Sequence, residues 1–528
     1  MLKIIYSHLK KLNLFQRLLL FYIATFIFHT AYGFYSNSFG QDVARDLVLM
    51  ESHIQSGNWI VGYGPKASVG NFYLPPLYYQ LHILLSLLTN NYPFVMKLFV
   101  ILIESATPLL LLLIFRLLKF GRLSWFLALL YLVAPIPTLF GSFAWNPNTI
   151  PFFSTWALYC WLKIIESLVN RTPKSVLTWE PIAGVLAVVV AFHFHYQAAV
   201  VFPFAAVIVG WSFWLQPNAR KYWLLGVLLS LLTIVPYFLE ELKSHWSNTQ
   251  AILSYFSQEH SQYYDRVSKP AYFLTFFPGF TERLLMGRNL PFLLLGRVVF
   301  FLGGLFLAFE AFTKRKTQPL HLWIGIYFLS IIMMLRSYKG DKLDYYLSTL
   351  YIFPILLLGY IAKKNKYIAA IMIIIMLVGM GIFYTTQKRV DGYKNLTVAS
   401  QFIQSKLNNK AARYIFHNDD DINTFVYGLS KAAALNVDQS SLTVVEICEP
   451  LAVCIWDQVR QCAQSRGYTY SSIVKSTSGY TNKATLDVDG RTILVGQFDQ
   501  TPNTLGYPLY LNDLSYGSDT LYPELYKF

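Results

Sequence analysis

The sequence has little charge and little cysteine for a chain of its length. Only 13% of its 528 residues are charged, and its four cysteines are Cys160, Cys448, Cys454 and Cys462. Their spacing is not that of a metal-ligand set, so the sequence does not indicate a zinc or iron–sulfur protein. A Cys448–Cys454 disulfide, which requires that the tail lie outside the cell, and unpaired thiols both remain open.

The chain also lacks a phosphate-binding glycine loop and an internal repeat. Such a loop is needed where backbone amides cradle a nucleotide phosphate, and repeated halves are typical of secondary transporters. The net charge of +15 comes from basic residues in short loops between apolar runs. This is the positive-inside pattern of a membrane protein, so no nucleic-acid partner is predicted.

Long apolar runs are abundant, since 55% of the residues are hydrophobic. Many runs approach the roughly 20 residues that cross a bilayer as a helix. Eleven spans are predicted, near 14–34, 93–118, 122–141, 149–167, 178–194, 196–216, 222–240, 292–312, 318–336, 343–362 and 367–385. Residues 75–89, which begin with Pro75 and Pro76, are assigned to the membrane surface, because counting them as a span would place the next basic loop outside.

With this assignment all the basic loops fall on the cytoplasmic side, together with the amino terminus. These loops contain Lys119 and Arg122, Arg171 and Lys174, Arg220 and Lys221, Lys314 to Lys316, and Lys363, Lys364 and Lys366. The first span lacks a small-residue cleavage site, which indicates an uncleaved anchor in the plasma (inner) membrane. The predicted fold class is a polytopic α-helical membrane protein with about 11–13 transmembrane helices and a carboxy-terminal extracytoplasmic α/β domain.

Two domains are expected. Residues 1–386 form the membrane domain, with a first outer loop at 35–92, and residues 387–528 form the outer α/β domain, whose apolar runs are shorter. Periodicity in the tail predicts helices at Asn395 to Leu407 and Asn423 to Leu435. It predicts strands at Arg413–Phe416, Leu442–Val445 and Thr492–Val495.

The stretch from Gly40 to Val61 is the most informative part of the first outer loop. Read as a helix, it has one polar face, formed by Asp42, Arg45, Asp46 and His53. A separate apolar stripe is formed by Val43, Leu47, Met50 and Ile54. Gly57 is a natural end for this helix. The pattern fits a helix on the membrane surface that presents two carboxylates and a guanidinium to a ligand, or an ordinary interfacial helix with a hydrated face.

Other candidate residues lie in the remaining outer segments. These are Trp145, Asn146 and Asn148; His193 and His195; Glu259 and His260; and Arg336, Lys339 and Lys342. The last three are cations on the side where few are expected. An anionic ligand such as a phosphate explains them, and lysines that anchor the ends of spans by snorkelling are the alternative.

Several of these segments resemble the GT-C glycosyltransferases, most closely the bacterial lipid A aminoarabinose transferases, which share the fold of the protein O-mannosyltransferases. The family's D-E-x-R followed by S-G-D-W-I-V is similar to Asp42–Arg45 followed by Ser56–Val61. Its E-K-P-P-L corresponds to Tyr73–Leu77, and its K-G-K-L-x-x-Y is similar to Lys339–Tyr346 with one extra residue. Ala412–Ile415 resembles the start of the family's outer domain, so the resemblance touches the whole length.

The resemblance implies a transferase that takes a monosaccharide from a polyprenyl-phosphate donor at the outer leaflet and gives it to a lipid, glycan or protein hydroxyl with inversion. It makes Asp42 the general base, with Arg45 and Asp46 beside it. Lys339, Lys342 and His195 become candidates for the donor phosphate. Further substrate-binding candidates are Tyr345 and Tyr346 as hydroxyl donors, Asn146 and Asn148 as sugar contacts or helix caps, and Glu259 and His260.

The sequence departs from the family pattern at three places. Val43 replaces the acidic neighbour of Asp42, Tyr73 and Leu74 replace the glutamate–lysine pair, and Asn146 or Asn148 replaces a second outer-loop aspartate. A metal site that needs two carboxylates is therefore in doubt, no cofactor is predicted with certainty, and the sugar is left open. A lipid or polysaccharide transporter or flippase, and a non-catalytic envelope assembly protein, are the competing classes.

Overall fold

The computed structural model describes residues 12–36, 41–67, 71–89, 93–170, 178–257, 271–337, 344–386, 392–416, 428–429, 437, 441, 443–448, 480–488, 491–498 and 507–508. The chain divides into two compact units. The first contains Met1–Phe34, Ile60–Leu85 and Phe94–Lys388. The second contains Tyr35–Trp59, Ser86–Pro93 and Arg389–Phe528.

The first unit is helical. Its α-helices, some of whose ends belong to the second unit, are Leu14–Ser36, Leu77–Thr89, Pro93–Glu104, Thr107–Leu117, Leu123–Val133, Pro135–Gly141, Ile150–Asn170, Trp179–Phe194, Phe202–Leu215, Arg220–Lys243, Ser247–Ser257, Phe277–Met286, Leu294–Arg297, Gly303–Thr313, Leu320–Ser337, Phe353–Lys364 and Lys366–Thr386. Short 3₁₀ segments are Asn146–Thr149, Tyr196–Val201, Pro217–Ala219, Pro291–Leu293 and Asp344–Leu350. Tyr272–Phe276 and Val298–Leu302 are π-helical.

All eleven predicted spans coincide with helices. Across the described ranges, seven helices are long and apolar enough to cross a membrane, and two bent helix pairs also qualify. The shorter apolar helices Trp179–Phe194 and Leu320–Arg336 account for the other two predicted spans. Helix Leu77–Thr89 has 13 residues, or about 20 Å, which makes it the shortest of the three shorter apolar helices and the least able to cross a hydrocarbon core of roughly 30 Å.

The bend in the third span has a local cause. Helices Leu123–Val133 and Pro135–Gly141 meet at 62°, and Ala134 between them has an extended backbone. A residue before proline is pushed out of the helical region, so Pro135 ends one helix and opens the next.

The outward faces of the spans are apolar. On helix Arg220–Lys243, Leu224, Leu228 and Leu232 are each more than half exposed. Soluble proteins do not expose apolar stripes of this size. The interior is a continuous core in which Trp161, Phe204 and Tyr327 pack against one another. The protein is therefore a multi-pass membrane protein.

The second unit includes helix Gln41–Gln55, helix Gly392–Leu407 and a five-stranded sheet. The strands are β1 Arg413–Phe416, β2 Thr443–Cys448, β3 Tyr480–Val488, β4 Arg491–Phe498 and β5 Tyr507–Pro508, in the order β3-β4-β2-β1-β5. β1 pairs in parallel with β2, and the other pairs are antiparallel. Ile493 and Val495 alternate into the buried face of β4.

In the tail, helix Gly392–Leu407 and strands β1, β2 and β4 lie where the sequence predicts a helix and strands, whereas β3 and β5 were not predicted. Helix Gly392–Leu407 buries Leu396, Ala399 and Ile403 on one stripe, and it contacts β3 and β4. The predicted helix Asn423 to Leu435 lies outside the described residues, apart from Gly428 and Leu429, which are helical. Cys454 and Cys462 also lie outside them.

Cysteine labelling tests the predicted orientation of the spans. In a protein whose native cysteines have been replaced, single cysteines at the exposed positions Ser247 and Lys410 are expected to react with an impermeant maleimide added outside. A cysteine at exposed Lys316 is expected to react only after the membrane is permeabilised, because its loop is basic. Labelling of Lys316→Cys from outside would show that the predicted orientation of the spans is wrong.

Candidate active site

The helix that carries the candidate base forms where its sequence pattern predicts, but its predicted polar face is partly buried, since Arg45 and Asp46 are 5% and 0% exposed. Helix Gln41–Gln55 buries Val43, Leu47 and Met50 along one stripe. Gly57 follows it with a left-handed φ of 71°, which a residue without a Cβ adopts at no steric cost. The ring of His53 lies 2.9 Å from the carbonyl of Asn58, through Nδ1, so this histidine closes the carboxy-terminal end of the helix.

Asp42, Arg45 and Asp46 form one charged cluster on this helix. Arg45 Nη1 is 2.8 Å from Asp42 Oδ1, and Arg45 Nη2 is 2.8 Å from Asp46 Oδ1. Arg45 Nε donates a further bond to the same Asp46 oxygen at 3.0 Å. The side chain of Asp42 is 40% exposed, whereas those of Arg45 and Asp46 are 6% and 0% exposed. The guanidinium therefore bridges an exposed carboxylate and a buried one.

Burial makes the two carboxylates chemically different. Asp46 Oδ2 has no hydrogen-bond partner among the described residues. Loss of water around this group raises the pKa of Asp46 to about 7, and Arg45 opposes that rise. The cluster thus contains one accessible carboxylate, Asp42, which Arg45 orients, and a buried acid that can hold a proton near neutral pH.

In the first unit, residues from three distant segments come together. His195 follows helix Trp179–Phe194, and its Nδ1 accepts a hydrogen bond from the Gln197 amide at 3.3 Å. The Gln197 side chain donates to the Tyr345 carbonyl at 2.9 Å and to Ser348 Oγ at 2.7 Å. The rings of His195 and Tyr346 are 6.0 Å apart. Burial lowers the pKa of His195, so a neutral imidazole with its proton on Nε2 is the form that this site favours.

Aromatic rings extend this group. Tyr345 and Tyr346 are in contact, with ring centroids 4.2 Å apart, and the Trp145 ring meets Tyr345 edge-on at 4.5 Å. We call this set of side chains the aromatic group; it consists of Trp145, His195, Tyr345 and Tyr346. All four residues are candidates from the sequence, but only their side-chain packing shows that they are neighbours.

Asn146 and Asn148 hold the loop before helix Ile150–Asn170. Asn146 Nδ2 donates to the Phe194 carbonyl at 2.7 Å, and Asn148 Nδ2 donates to the Phe143 carbonyl at 2.9 Å. Both side chains belong to residues that are at most 3% exposed. The structure thus gives each asparagine a main-chain partner, and a sugar contact stays a prediction.

A salt bridge that the sequence analysis did not single out fixes the segment next to the aromatic group. Arg283 donates to Asp344 through Nε at 2.9 Å and through Nη2 at 2.7 Å, in a two-point contact. Asp344 directly precedes Tyr345 and Tyr346, so the salt bridge to Arg283 holds the start of the segment that carries both tyrosines. No sequence motif contains Arg283. The only sequence signal for it is its place in the long 241–290 loop.

Tyr73, at the position of the family's glutamate, is held by a network of side chains. Asn248 Oδ1 accepts a bond from the Tyr73 amide at 2.6 Å, and Tyr196 donates to the Tyr73 carbonyl at 2.9 Å. The Tyr73 ring stacks on Tyr63, with centroids 5.3 Å apart. Tyr63 in turn shares a 2.7 Å hydrogen bond with Ser244. The rings around Tyr73 therefore form an aromatic platform.

Sequence reasoning missed two buried charged residues on helix Pro93–Glu104. Lys97 is 5% exposed and donates to the Gly33 carbonyl at 3.1 Å. Glu104 is 3% exposed and accepts bonds from the Phe152 amide and Thr107 Oγ1, both at 3.0 Å. Glu104 thereby satisfies a free amide in the first turn of helix Ile150–Asn170. Nothing in an apolar run indicates which of its charged residues will be buried.

Four of the predicted site residues lie outside the described residues, namely Lys339, Lys342, Glu259 and His260. Within the part of the chain that the structure describes, no group of three or more histidine, cysteine, aspartate or glutamate side chains is placed to hold a metal ion.

Comparison with known proteins identifies the fold. No family model and no curated protein matches the sequence. The crystal structure of ArnT from Cupriavidus metallidurans bound to undecaprenyl phosphate matches with a TM-score of 0.55 and 14% identity, over 94% of this chain and 100% of that one. Its apo structure matches with a TM-score of 0.54 and 13% identity, over 93% and 99% of the two chains.

A third structure is more distant. The archaeal oligosaccharyltransferase AglB from Archaeoglobus fulgidus, in complex with an inhibitory peptide and a dolichol-phosphate, has a TM-score of 0.48 and 12% identity, over 95% of this chain and 77% of that one. The match to ArnT extends over nearly the whole of both chains, and at such low identity it concerns the fold alone. The chain is accordingly a polytopic membrane protein with the GT-C fold, the fold of the glycosyltransferases that its sequence resembles.

Proposed function

We propose that the protein is a membrane glycosyltransferase that moves a monosaccharide from a polyprenyl-phosphate donor to an acceptor hydroxyl on the outer side of the inner membrane. The observation that carries this proposal is the charged cluster of helix Gln41–Gln55, in which Arg45 orients the exposed Asp42 and is itself bonded to the buried Asp46. A lipid-linked donor agrees with the undecaprenyl phosphate bound to ArnT, the solved structure of the same fold.

The proposed reaction is a single displacement. The acceptor hydroxyl oxygen attacks the anomeric carbon, the bond from that carbon to the phosphate oxygen breaks, and polyprenyl phosphate leaves with the bonding electrons. Asp42 takes the hydroxyl proton, as a general base must. Attack opposite to the leaving group inverts the anomeric configuration. The acceptor is a lipid, a glycan or a protein.

The leaving phosphate needs positive charge and hydrogen-bond donors. Lys339 and Lys342 are proposed to supply the charge, because the predicted topology places them on the side where few cations are expected. Tyr345 and Tyr346 of the aromatic group directly follow this segment and are proposed as hydroxyl donors. A neutral His195 can add one N–H donor but no charge. Glu259 and His260 stay predictions as substrate-binding residues.

The lysine assignment predicts a donor-specific defect. Lys339→Ala and Lys342→Ala are each expected to raise the KM for the donor about tenfold or more, since a charge-assisted bond to phosphate contributes roughly 1.5–3 kcal/mol. The matched control is Lys269→Ala, a lysine of the 241–290 loop with no proposed role. Equal donor KM values in all three variants, with folding intact, would leave anchoring of the span end as the role of both lysines.

Turnover of labelled donors separates the enzyme from the competing classes. Purified protein in proteoliposomes is supplied with polyprenyl phosphates that carry radiolabelled monosaccharides, together with an extract of envelope lipids and glycans as acceptors. A transferase consumes the donor and releases polyprenyl phosphate. A flippase moves intact donor between leaflets, and an assembly protein does neither, so donor that stays chemically intact would exclude the proposed function.

A further inference from the structure

A buried carboxylate gathers three lysines at the end of two helices. Glu310 of helix Gly303–Thr313 has a side chain that is 2% exposed. One of its oxygens lies 2.6 Å from Lys314 Nζ and 3.5 Å from Lys363 Nζ, and the other lies 2.8 Å from Lys364 Nζ. Lys314, Lys363 and Lys364 are called the lysine cluster below. Lys363 and Lys364 belong to the last turn of helix Phe353–Lys364, so the cluster joins two helices.

The lysine cluster has more positive charge than Glu310 can neutralise. Three ammonium groups surround one carboxylate, and the neighbouring His321, 4.0 Å from Glu310, adds no negative charge. The lysine side chains are 23–34% exposed, so they remain accessible at the surface. Because the buried carboxylate fixes their positions, little side-chain entropy is left to lose when a second anion binds.

A snorkelling lysine that only anchors a span end has no need of a shared buried carboxylate. Burying a charge is costly unless it is paired, and a single lysine would have paired Glu310. The second and third lysines are therefore not explained by Glu310 alone. An anion with several oxygens, bound above the cluster, would explain why they are there.

An apolar stripe on the same helix identifies the kind of anion. Leu305, Phe309 and Phe312 are 62%, 52% and 69% exposed, and their spacing places them on one face. Lys364 Nζ lies over the Phe309 ring at 4.5 Å. The cations thus stand at the end of a face that the membrane must cover, which is the position of a phospholipid headgroup above its acyl chains.

We propose that the lysine cluster binds the phosphate of an anionic phospholipid, whose acyl chains lie along the apolar stripe. A soluble phosphate would use the cluster alone, whereas a phospholipid uses the cluster and the stripe together. The basic loops that contain these lysines are cytoplasmic in the predicted topology, which assigns the lipid to the inner leaflet. This site does not depend on sugar transfer, and its success or failure is independent of the proposed function.

Native mass spectrometry of the full chain in detergent tests the site. Phosphatidylglycerol is titrated against phosphatidylcholine, and the Kd of the first bound lipid is measured for the wild type and for Lys363→Gln/Lys364→Gln. We expect the wild type to favour phosphatidylglycerol and the double variant to bind it at least tenfold more weakly. The control is Lys163→Gln, which removes a lysine of similar exposure (32%) that has Glu166 as its carboxylate partner at 3.0 Å.

Three results would overturn the proposal. They are equal Kd values for the two lipids, an unchanged Kd in the double variant, and full competition by inorganic phosphate, which would identify a soluble anion as the ligand. If the double variant does not fold, Lys314→Gln replaces it, because Lys364 then still pairs with Glu310. That variant is expected to weaken phosphatidylglycerol binding about tenfold and to leave phosphatidylcholine binding unchanged.

Discussion

Replacement of Asp42 by asparagine is expected to abolish sugar transfer while the protein still folds. The amide keeps a hydrogen-bond acceptor for Arg45 Nη1, which now bonds Asp42 at 2.8 Å, but it cannot take a proton from the acceptor. Loss of a general base reduces rates by about 10²–10⁴-fold. Initial rates of polyprenyl phosphate release, measured beside the thermal unfolding of each preparation, check the prediction.

The control variant lies on the same helix. Glu51→Gln removes a carboxylate that accepts a bond from Gln55 at 3.3 Å in the last turn of helix Gln41–Gln55, and it is expected to retain its turnover. Near-normal activity of Asp42→Asn would remove Asp42 as the base. Equal losses in both variants would point to a general effect of charge on this helix.

Replacement of Arg45 by glutamine is expected to give the largest loss of stability among single variants of this cluster. Breaking a buried ion pair costs about 3–5 kcal/mol, because the remaining charge is left without a partner. Here that charge is Asp46, which is fully buried. Lys163→Gln, which breaks a partly exposed pair with Glu166, should cost only about 0–1 kcal/mol. Denaturant unfolding in detergent gives both values when it is measured at alkaline pH, where Asp46 of the wild type is ionised.

The loss of stability caused by Arg45→Gln should also depend on pH. An aspartate of the unfolded chain ionises near pH 4, whereas burial raises the pKa of Asp46 to about 7 in the fold. Between these values the folded protein holds the proton more tightly, so the contribution of Asp46 to stability is greatest below about pH 4 and falls as the pH rises towards 7. The loss of stability in Arg45→Gln should be small below about pH 7, where Asp46 holds its proton with or without Arg45. It should grow as the pH rises above 7, because Arg45 lowers the pKa of Asp46 and its removal shifts ionisation to a higher pH.

A double variant isolates the cause. Arg45→Gln/Asp46→Asn has no buried charge in this cluster, so it should recover most of the lost stability and lose the dependence on pH. Double and single variants of equal stability at alkaline pH would show that the lost packing of Arg45, and not the exposed charge of Asp46, is responsible.

The architecture could be predicted from the sequence because the membrane imposes it. A span must be a run of apolar residues of nearly fixed length, so the eleven runs could be located one by one. Helix Gln41–Gln55 was predictable for a similar local reason, since its apolar stripe and Gly57 are encoded within 20 residues. The bend at Pro135 was foreseeable in kind, but its angle of 62° depends on packing.

The candidate site was predictable only where a motif is local. Asp42, Arg45 and Asp46 share one helical turn, so their cluster follows from spacing. Arg283 bonds Asp344 across 61 positions, and the burial of Lys97 and Glu104 depends on which face of their helix meets other helices. Such contacts are set by the tertiary fold and leave no mark on the local sequence.

The proposed function requires that this GT-C chain consume a polyprenyl-phosphate sugar. The most direct measurement is the amount of polyprenyl phosphate formed from a radiolabelled polyprenyl phosphate monosaccharide, compared with the amount of sugar that enters product, for wild-type protein and Asp42→Asn side by side. We expect the wild type to form the two products in equal amounts and the variant to form neither above background. Intact donor after incubation with the folded wild type, or equal turnover by the variant, would contradict it.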